Sequence, residues 1–465
     1  MVNRKVAPPI IDATEFHLEL PPYRKEVLDN GVEVYAIDLG NEEAMMASWI
    51  FDAGNWYEEK NLVAAAANAL LKNGTSRRRA FDINEHFEYY GAHLGRASHH
   101  ETSEITLHCL SKHVGELLPV VAELIMDSIY PQEELDIYKK NGQQRLQVSL
   151  KKSEFVAGRL IDAYLYGKDH PYGKYSTLED YQALEQEELL RFYRKYYQQG
   201  TVRIIVAGKL PHDLFRELNR HFGHLPLRTR HTAGTPGGPV VPGAHAAAPG
   251  ASTTLGAPGT HASPGAPGTD ELALSRVITP DKEKKHHIIN DPNGVQGSIR
   301  IARNFPNRHH PDFQKVQVLN NVFGGFFGSR LMTNIREDKG YTYGIYSYLV
   351  NNVQESALLI STEAGKDVCA ATIEEVYKEM RLICDEPIEE EELQMARNYT
   401  IGTILGDLDG PFQVATRWKN ILLNGLDGNY FYEGIRIVKT ITPAELQELA
   451  NKYLDPAAFF ELLVI

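Results

Sequence analysis

Side chains able to do acid–base, nucleophilic or metal chemistry are plentiful in this chain, but few stand at spacings that would make a site. The eighteen histidines include His99-His100, His286-His287, His309-His310 and His221-x-x-His224. Neighbouring residues on a strand point to opposite faces, so none of the pairs forms a ligand set alone, and most are expected on the solvated surface. Asp82-Ile-Asn-Glu85-His86 has the outline of an inverted histidine–glutamate metal motif, yet Asp82 reads more simply as the N-cap of a helix ending at Gly91. The three cysteines, Cys109, Cys369 and Cys384, are too few for a disulfide framework or a Cys-based zinc ribbon. Gly324-Gly-Phe-Phe-Gly-Ser lacks the Gly-Lys-Ser/Thr ending of a phosphate loop and reads as a flexible Gly-rich loop beside a cleft. The acidic run Glu389 to Glu392 fits the first turn of a helix rather than a calcium loop.

Such side chains need a scaffold, and 465 residues with 43% hydrophobic content supply more than one core's worth. With 48 Lys+Arg against 61 Asp+Glu the net charge is −13, and no basic block could neutralise a run of phosphates, which argues against nucleic-acid binding. No apolar run reaches the length of a membrane span. Met1 to Pro9 lacks a basic-then-apolar leader pattern, and the sparse cysteines fit a reducing compartment. The cytoplasm is therefore expected, with the periplasm open to a chain whose leader has been removed.

His231 to Asp270 is Gly, Pro, Ala, Ser and Thr with almost no large apolar side chain, and reads as a flexible linker (231–270) between two domains, 1–230 and 271–465. The halves echo one another at an offset of 256 to 258 residues. Pro131-Gln-Glu-Glu-Leu135 returns as Pro387-Ile-Glu-Glu-Glu-Glu-Leu393, and Val156-Ala-Gly-Arg159 as Val414-Ala-Thr-Arg417. Glu188-Leu189 with Lys195-Tyr196 returns as Glu445-Leu446 with Lys452-Tyr453. Each half closes on a β-rich run, 202–207 and 459–465. The patterns predict strands at 32–38, 45–51, 94–98, 104–110, 343–349 and 356–362, with helices at 62–72, 83–90, 114–128, 313–322, 329–338 and 367–384. The fold class is α+β: two homologous α/β-sandwich domains, each an antiparallel sheet with long helices, related by an internal repeat.

Two stretches carry a family resemblance: Gly54-Asn-Trp-Tyr-Glu58 through Lys72-Asn-Gly-Thr75, and Gly324-Gly-Phe-Phe-Gly-Ser-Arg-Leu331 through Arg336-Glu-Asp-Lys-Gly-Tyr-Thr-Tyr343. They resemble the pitrilysin (insulinase) family of zinc peptidases, and the likeness extends over nearly the whole chain, His170-Pro-Tyr-Gly173 included. It implies half of a clam-shaped peptidase. Active members place H-x-x-E-H on the helix that runs into the Gly-Thr pair. Counted back from Gly74-Thr75, the two histidine positions are Ala65 and Ala69 and the glutamate position is Asn68, so the zinc motif is degenerate. The third ligand of the family falls near Gln144 or Arg145, where a guanidinium would oppose a metal.

The resemblance also reaches an arginine and a tyrosine seven residues apart that the family's substrate-binding subunits use, here Arg336 and Tyr343. Arg336 should end a helix, Gly340 should permit a left-handed exit, and Tyr343 should emerge on the next strand. A guanidinium and a phenol are donors, suited to peptide carbonyls and to a developing oxyanion. Gly324, Gly325 and Ser329 belong to the same substrate-binding loop. The resemblance thus implies a non-catalytic subunit without a metal or cofactor of its own, whose partner brings H-x-x-E-H and Zn and with which it encloses peptides. The alternative is a proteolytically inactive homodimer that binds peptides or serves as a scaffold.

Overall fold

The computed structural model describes residues 12–229 and 277–465. The linker reading of 231–270 and the leader reading of 1–9 lie outside the described residues.

In the first half six strands form one sheet: β1 (Arg24–Val27), β2 (Glu33–Asp38), β3 (Ala44–Phe51), β4 (His93–Ser98), β5 (Ser103–Leu110) and β6 (Val202–Gly208), in the order β1-β2-β6-β3-β5-β4. In the second half β7 (Lys285–Ile288), β8 (Gln296–Phe305), β9 (Thr342–Asn351), β10 (Ser356–Gly365) and β11 (Phe460–Val464) run β7-β11-β8-β10-β9. Without β1, the two orders are the same. Each sheet is antiparallel except for one parallel pair at the matching place, β2 with β6 and β7 with β11. The repeat heard in the sequence is a repeat of topology.

The helices of the first half are α1 (Val63–Leu70), α2 (Ala80–Tyr89), α3 (Val114–Asp127), α4 (Gln132–Ser149), α5 (Ser153–Tyr166), α6 (Leu178–Ala183), α7 (Gln186–Tyr193) and α8 (Leu214–Phe222). Those of the second are α9 (Phe313–Asn320), α10 (Cys369–Asp385), α11 (Glu390–Gly406), α12 (Pro411–Leu423), α13 (Gly428–Thr440) and α14 (Pro443–Tyr453). The sequence echoes have local causes. Both α4 and α11 open with glutamates in the first turn, where they favour the positive end of the helix dipole. Glu188 and Glu445 each stand third in their helix and accept the N-cap backbone N–H, at 3.1 and 3.0 Å, closing capping boxes on α7 and α14.

The Val-Ala-x-Arg echo lies on α5 and α12, and these two helices are exchanged between the halves. Val156, Ala157, Ile161 and Leu165 of α5 pack with Ala302, Leu359, Phe460 and Leu462 of the second sheet. In return, α12 lies on β2 and β6 of the first sheet, and Val414, Ala415 and Trp418 share a core with Tyr35, Ile37 and Ile205. Lys419 reaches Glu104 of β5 at 2.9 Å, and the Trp418 indole N–H donates to the Pro21 carbonyl at 2.8 Å. The described residues of 12–229 and 278–465 accordingly group as one compact unit.

The structure differs from the sequence reading in three places. Helix α2 begins at Ala80, so Asp82 is its third residue and not its N-cap, accepting from the Arg79 N–H at 3.1 Å. Two histidines depart from the solvated surface expected of most: His170 is buried against Trp56 and Tyr166, and His100 is half-buried, its imidazole pushed down to about 4 by desolvation. The helix read at 329–338 is π-wound over Met332–Asp338, a change of hydrogen-bond register that apolar spacing does not reveal.

Candidate functional site

Arg336 and Tyr343 are brought together by the end of one helix and the start of one strand. The π-wound turn is fixed to α10 by Asn334, whose amide donates to Glu375 at 2.9 Å and Glu379 at 2.7 Å. It is fixed to α11 by Arg330, which forks onto both oxygens of Glu392 at 2.7 and 2.9 Å. Gly340, at φ +66°, carries the chain out through the left-handed region, and its N–H donates to the Arg336 carbonyl at 3.2 Å. On β9, Thr342 pairs with Ala364 and Ile345 with Thr362, so Tyr343 and Gly344 together oppose Glu363 in a β-bulge. Hydroxyls hold that bulge: Thr342 donates to the Glu363 carbonyl at 2.7 Å and Thr362 to the Gly344 carbonyl at 2.9 Å.

The bulge turns the Tyr343 ring outward, where it is 94% exposed. The Arg336 guanidinium lies 5.8 Å from the centre of that ring and 4.4 Å from the centre of the exposed Phe327 ring. Its ion-pair partner is its neighbour Glu337, at 3.8 Å. A guanidinium steadied by two ring faces and a phenol facing solvent can donate to carbonyl oxygens from outside the chain.

The loop residues named beside the pair divide. Gly324 is buried and hemmed in, because a Cβ there would come 2.6 Å from the Ser347 hydroxyl and 2.8 Å from Leu331. Ser329 is also buried, and its hydroxyl has no partner among the described residues. Gly325 lines a cleft of about 770 Å³ between α9, α11, α12, α13 and β9.

Ala65, Asn68 and Ala69 lie on α1 and present two methyls and an amide. The Asn68 amide donates to Tyr197 at 3.2 Å and the Glu104 carbonyl at 3.3 Å. Sequence spacing missed the cation that attends these positions: Arg96 of β4, which bonds the Ala69 carbonyl at the helix C-terminus. Gln144 and Arg145 are exposed on α4. These side chains do not fit zinc, and among the described residues no three His, Cys, Asp or Glu side chains gather as a metal site. Asp82 is engaged by Arg79 at 3.0 Å and His86 by the Glu116 carbonyl at 3.0 Å.

Glu58, the last residue of the Gly54–Glu58 stretch, lies just before α1. It is 3% exposed and accepts the Ala64 N–H at 3.0 Å. Burial pushes its carboxyl up to about 7.

Residues 183–400 match the family model described as the peptidase M16 inactive domain. The uncharacterised zinc protease YmxG of Bacillus subtilis is 23% identical over 404 residues, 86% of each chain. The beta subunit of the mitochondrial-processing peptidase of Bos taurus is 24% identical over 216 residues, 45% of this chain and 44% of that one. The crystal structure of a peptidase M16 inactive domain from Pseudomonas fluorescens superposes with a TM-score of 0.78 at 20% identity, covering 95% of this chain and 98% of that one. The match to the inactive-domain model covers residues 183–400, and the fold of the chain is that of an M16 peptidase half. No helix among the described residues is long and apolar enough to cross a membrane.

Proposed function

We propose that this chain is the substrate-binding subunit of a two-chain zinc endopeptidase, supplying Arg336 and Tyr343 to a site whose zinc and H-x-x-E-H motif come from a catalytic partner of the same family. The observation that carries the reading is the outward Arg336–Tyr343 pair, set by a left-handed helix exit and a bulge at the head of an edge strand. Within one closed chain, a tyrosine 94% exposed on such an anchored support serves no packing purpose. Facing a partner's zinc-activated water, the two donors would hold the peptide carbonyl and receive the charge that develops on its oxygen. The similarity to a processing-peptidase subunit supports a two-chain arrangement.

The test is turnover of an unfolded peptide by the chain assembled with an H-x-x-E-H partner. Removing one oxyanion donor by Tyr343→Phe should lower kcat by about 100-fold, with the melting temperature of the chain unchanged. Undiminished turnover would take Tyr343 out of the mechanism. The isolated chain should carry substoichiometric zinc and run as a monomer, whereas a stable symmetric dimer would favour the peptide-binding scaffold instead.

A further inference from the structure

The cleft lined by Gly325 carries a charge that nothing in the fold requires. Arg308 and Arg417 both line it, against one carboxylate, Asp407, in a chain whose net charge is −13. Arg417 is paired with Asp407 and rests over the Phe431 ring at 5.3 Å. Among the described residues, Arg308 takes part in no ion pair; its charged and phenolic neighbours are Arg417 and Tyr430, and burial pushes its guanidinium down. The Nε atoms of both arginines are buried and have no acceptor among the described residues. Two guanidiniums held close, one of them uncompensated, make an electrostatic cost that an anion would relieve.

The repeat sharpens the point. Arg308 stands five residues before α9, as Glu58 stands five before α1. In the first half that position is an acid accepting a helix N-terminal N–H, the sign the dipole favours. In the second half the sign is inverted, and Arg308 lies in the same cleft as Gln314 of the first turn of α9. Helix stability does not explain such an arginine. The rest of the lining is rich in amides and hydroxyls, among them Gln317, Asn321 and Thr403, groups that pair with peptide bonds.

We propose that this cleft is a carboxylate-binding site, in which Arg308 and Arg417 clamp the C-terminal carboxylate of a bound peptide. The carboxylate follows from the charge of the cleft. The peptide as its bearer rests on the function proposed above, and a small organic acid is the other source of the same group.

The test uses the full chain alone, so it does not depend on catalysis by an assembled pair. Fluorescence anisotropy would follow N-terminally fluorescein-labelled penta-alanine as the free acid and as the C-terminal amide, with succinate as the small-acid competitor. The free acid should bind about tenfold or more tightly than the amide. Arg308→Gln should abolish that preference and Arg308→Lys should keep part of it, both variants having wild-type circular dichroism and thermal melts. Equal binding of acid and amide, or a preference that survives in folded Arg308→Gln, would overturn the site. Succinate displacing the probe at concentrations no higher than those at which the peptide binds would overturn the peptide as bearer.

Discussion

The exchange of α5 and α12 between the halves has a measurable weak point in Lys419. It leaves α12 to meet Glu104 of the opposite sheet at 2.9 Å, with side-chain exposures of 25% and 11%. Burial raises the Glu104 carboxyl, but Lys419, with the Ser48 and Thr106 hydroxyls, overrides it and holds the group below the usual carboxylate range. At 2.9 Å and an effective dielectric of about 20 the attraction is about 6 kcal/mol, from which the cost of desolvating both charges must be taken. Lys419→Met keeps the aliphatic stem and strands the carboxylate, and should cost about 3–5 kcal/mol at pH 7. Because the folded pKa lies below the unfolded one, the stabilisation is complete above the unfolded carboxylate value and is lost as pH falls through the depressed folded value. The deficit of the variant should therefore shrink on acidification. Urea denaturation at pH 7 and at pH 4 reads both effects, and adding Glu104→Gln should recover most of the loss. A deficit under about 1 kcal/mol at pH 7, or a double variant no more stable than Lys419→Met, would refute the reasoning.

Two further outcomes follow from buried groups. Glu58 is pushed up to about 7, so the folded state binds a proton that the unfolded chain releases near pH 4.5, and stability should fall as pH rises from about 4.5 to 7. In denaturation across that window Glu58→Gln should flatten the fall and be more stable by about 3 kcal/mol at pH 8; a parallel profile would show that Glu58 does not titrate there. Gly324→Ala would push a methyl to 2.6 Å from the Ser347 hydroxyl and should cost about 1–3 kcal/mol in a thermal melt, whereas an unchanged melt would mean the turn yields freely.

Much of the fold was legible because period and punctuation agree with tertiary packing. Strands β2, β3, β5 and β6 alternate or run apolar between turn residues, and Gly91 and Gly340 end their elements at positive φ. Strand β8 was harder to read, since Arg300 sits buried in its middle, paired with Glu363 on the neighbouring strand at 2.9 Å. Strand β7 is four residues of Lys, His and Ile at a sheet edge. The helix exchange leaves no trace in periodicity, because an apolar face looks the same whichever sheet it covers. At the candidate site the proximity of Arg336 and Tyr343 was legible through their motif. The bulge that aims Tyr343 was not, for it depends on the register of β10. Arg308 belongs to no motif, and only folding places it beside Arg417.

The traded helices make each half a sheet whose cover is held by the other. Peeling α12 away would bare apolar residues of the first sheet, such as Ile37 and Ile205, and freeing α5 would do the same to Phe460 and Leu462. Opening one half thus removes a layer from its neighbour, and the energetic unit of unfolding is the pair. A chaperone or protease that gains a foothold in either half has, in effect, engaged both.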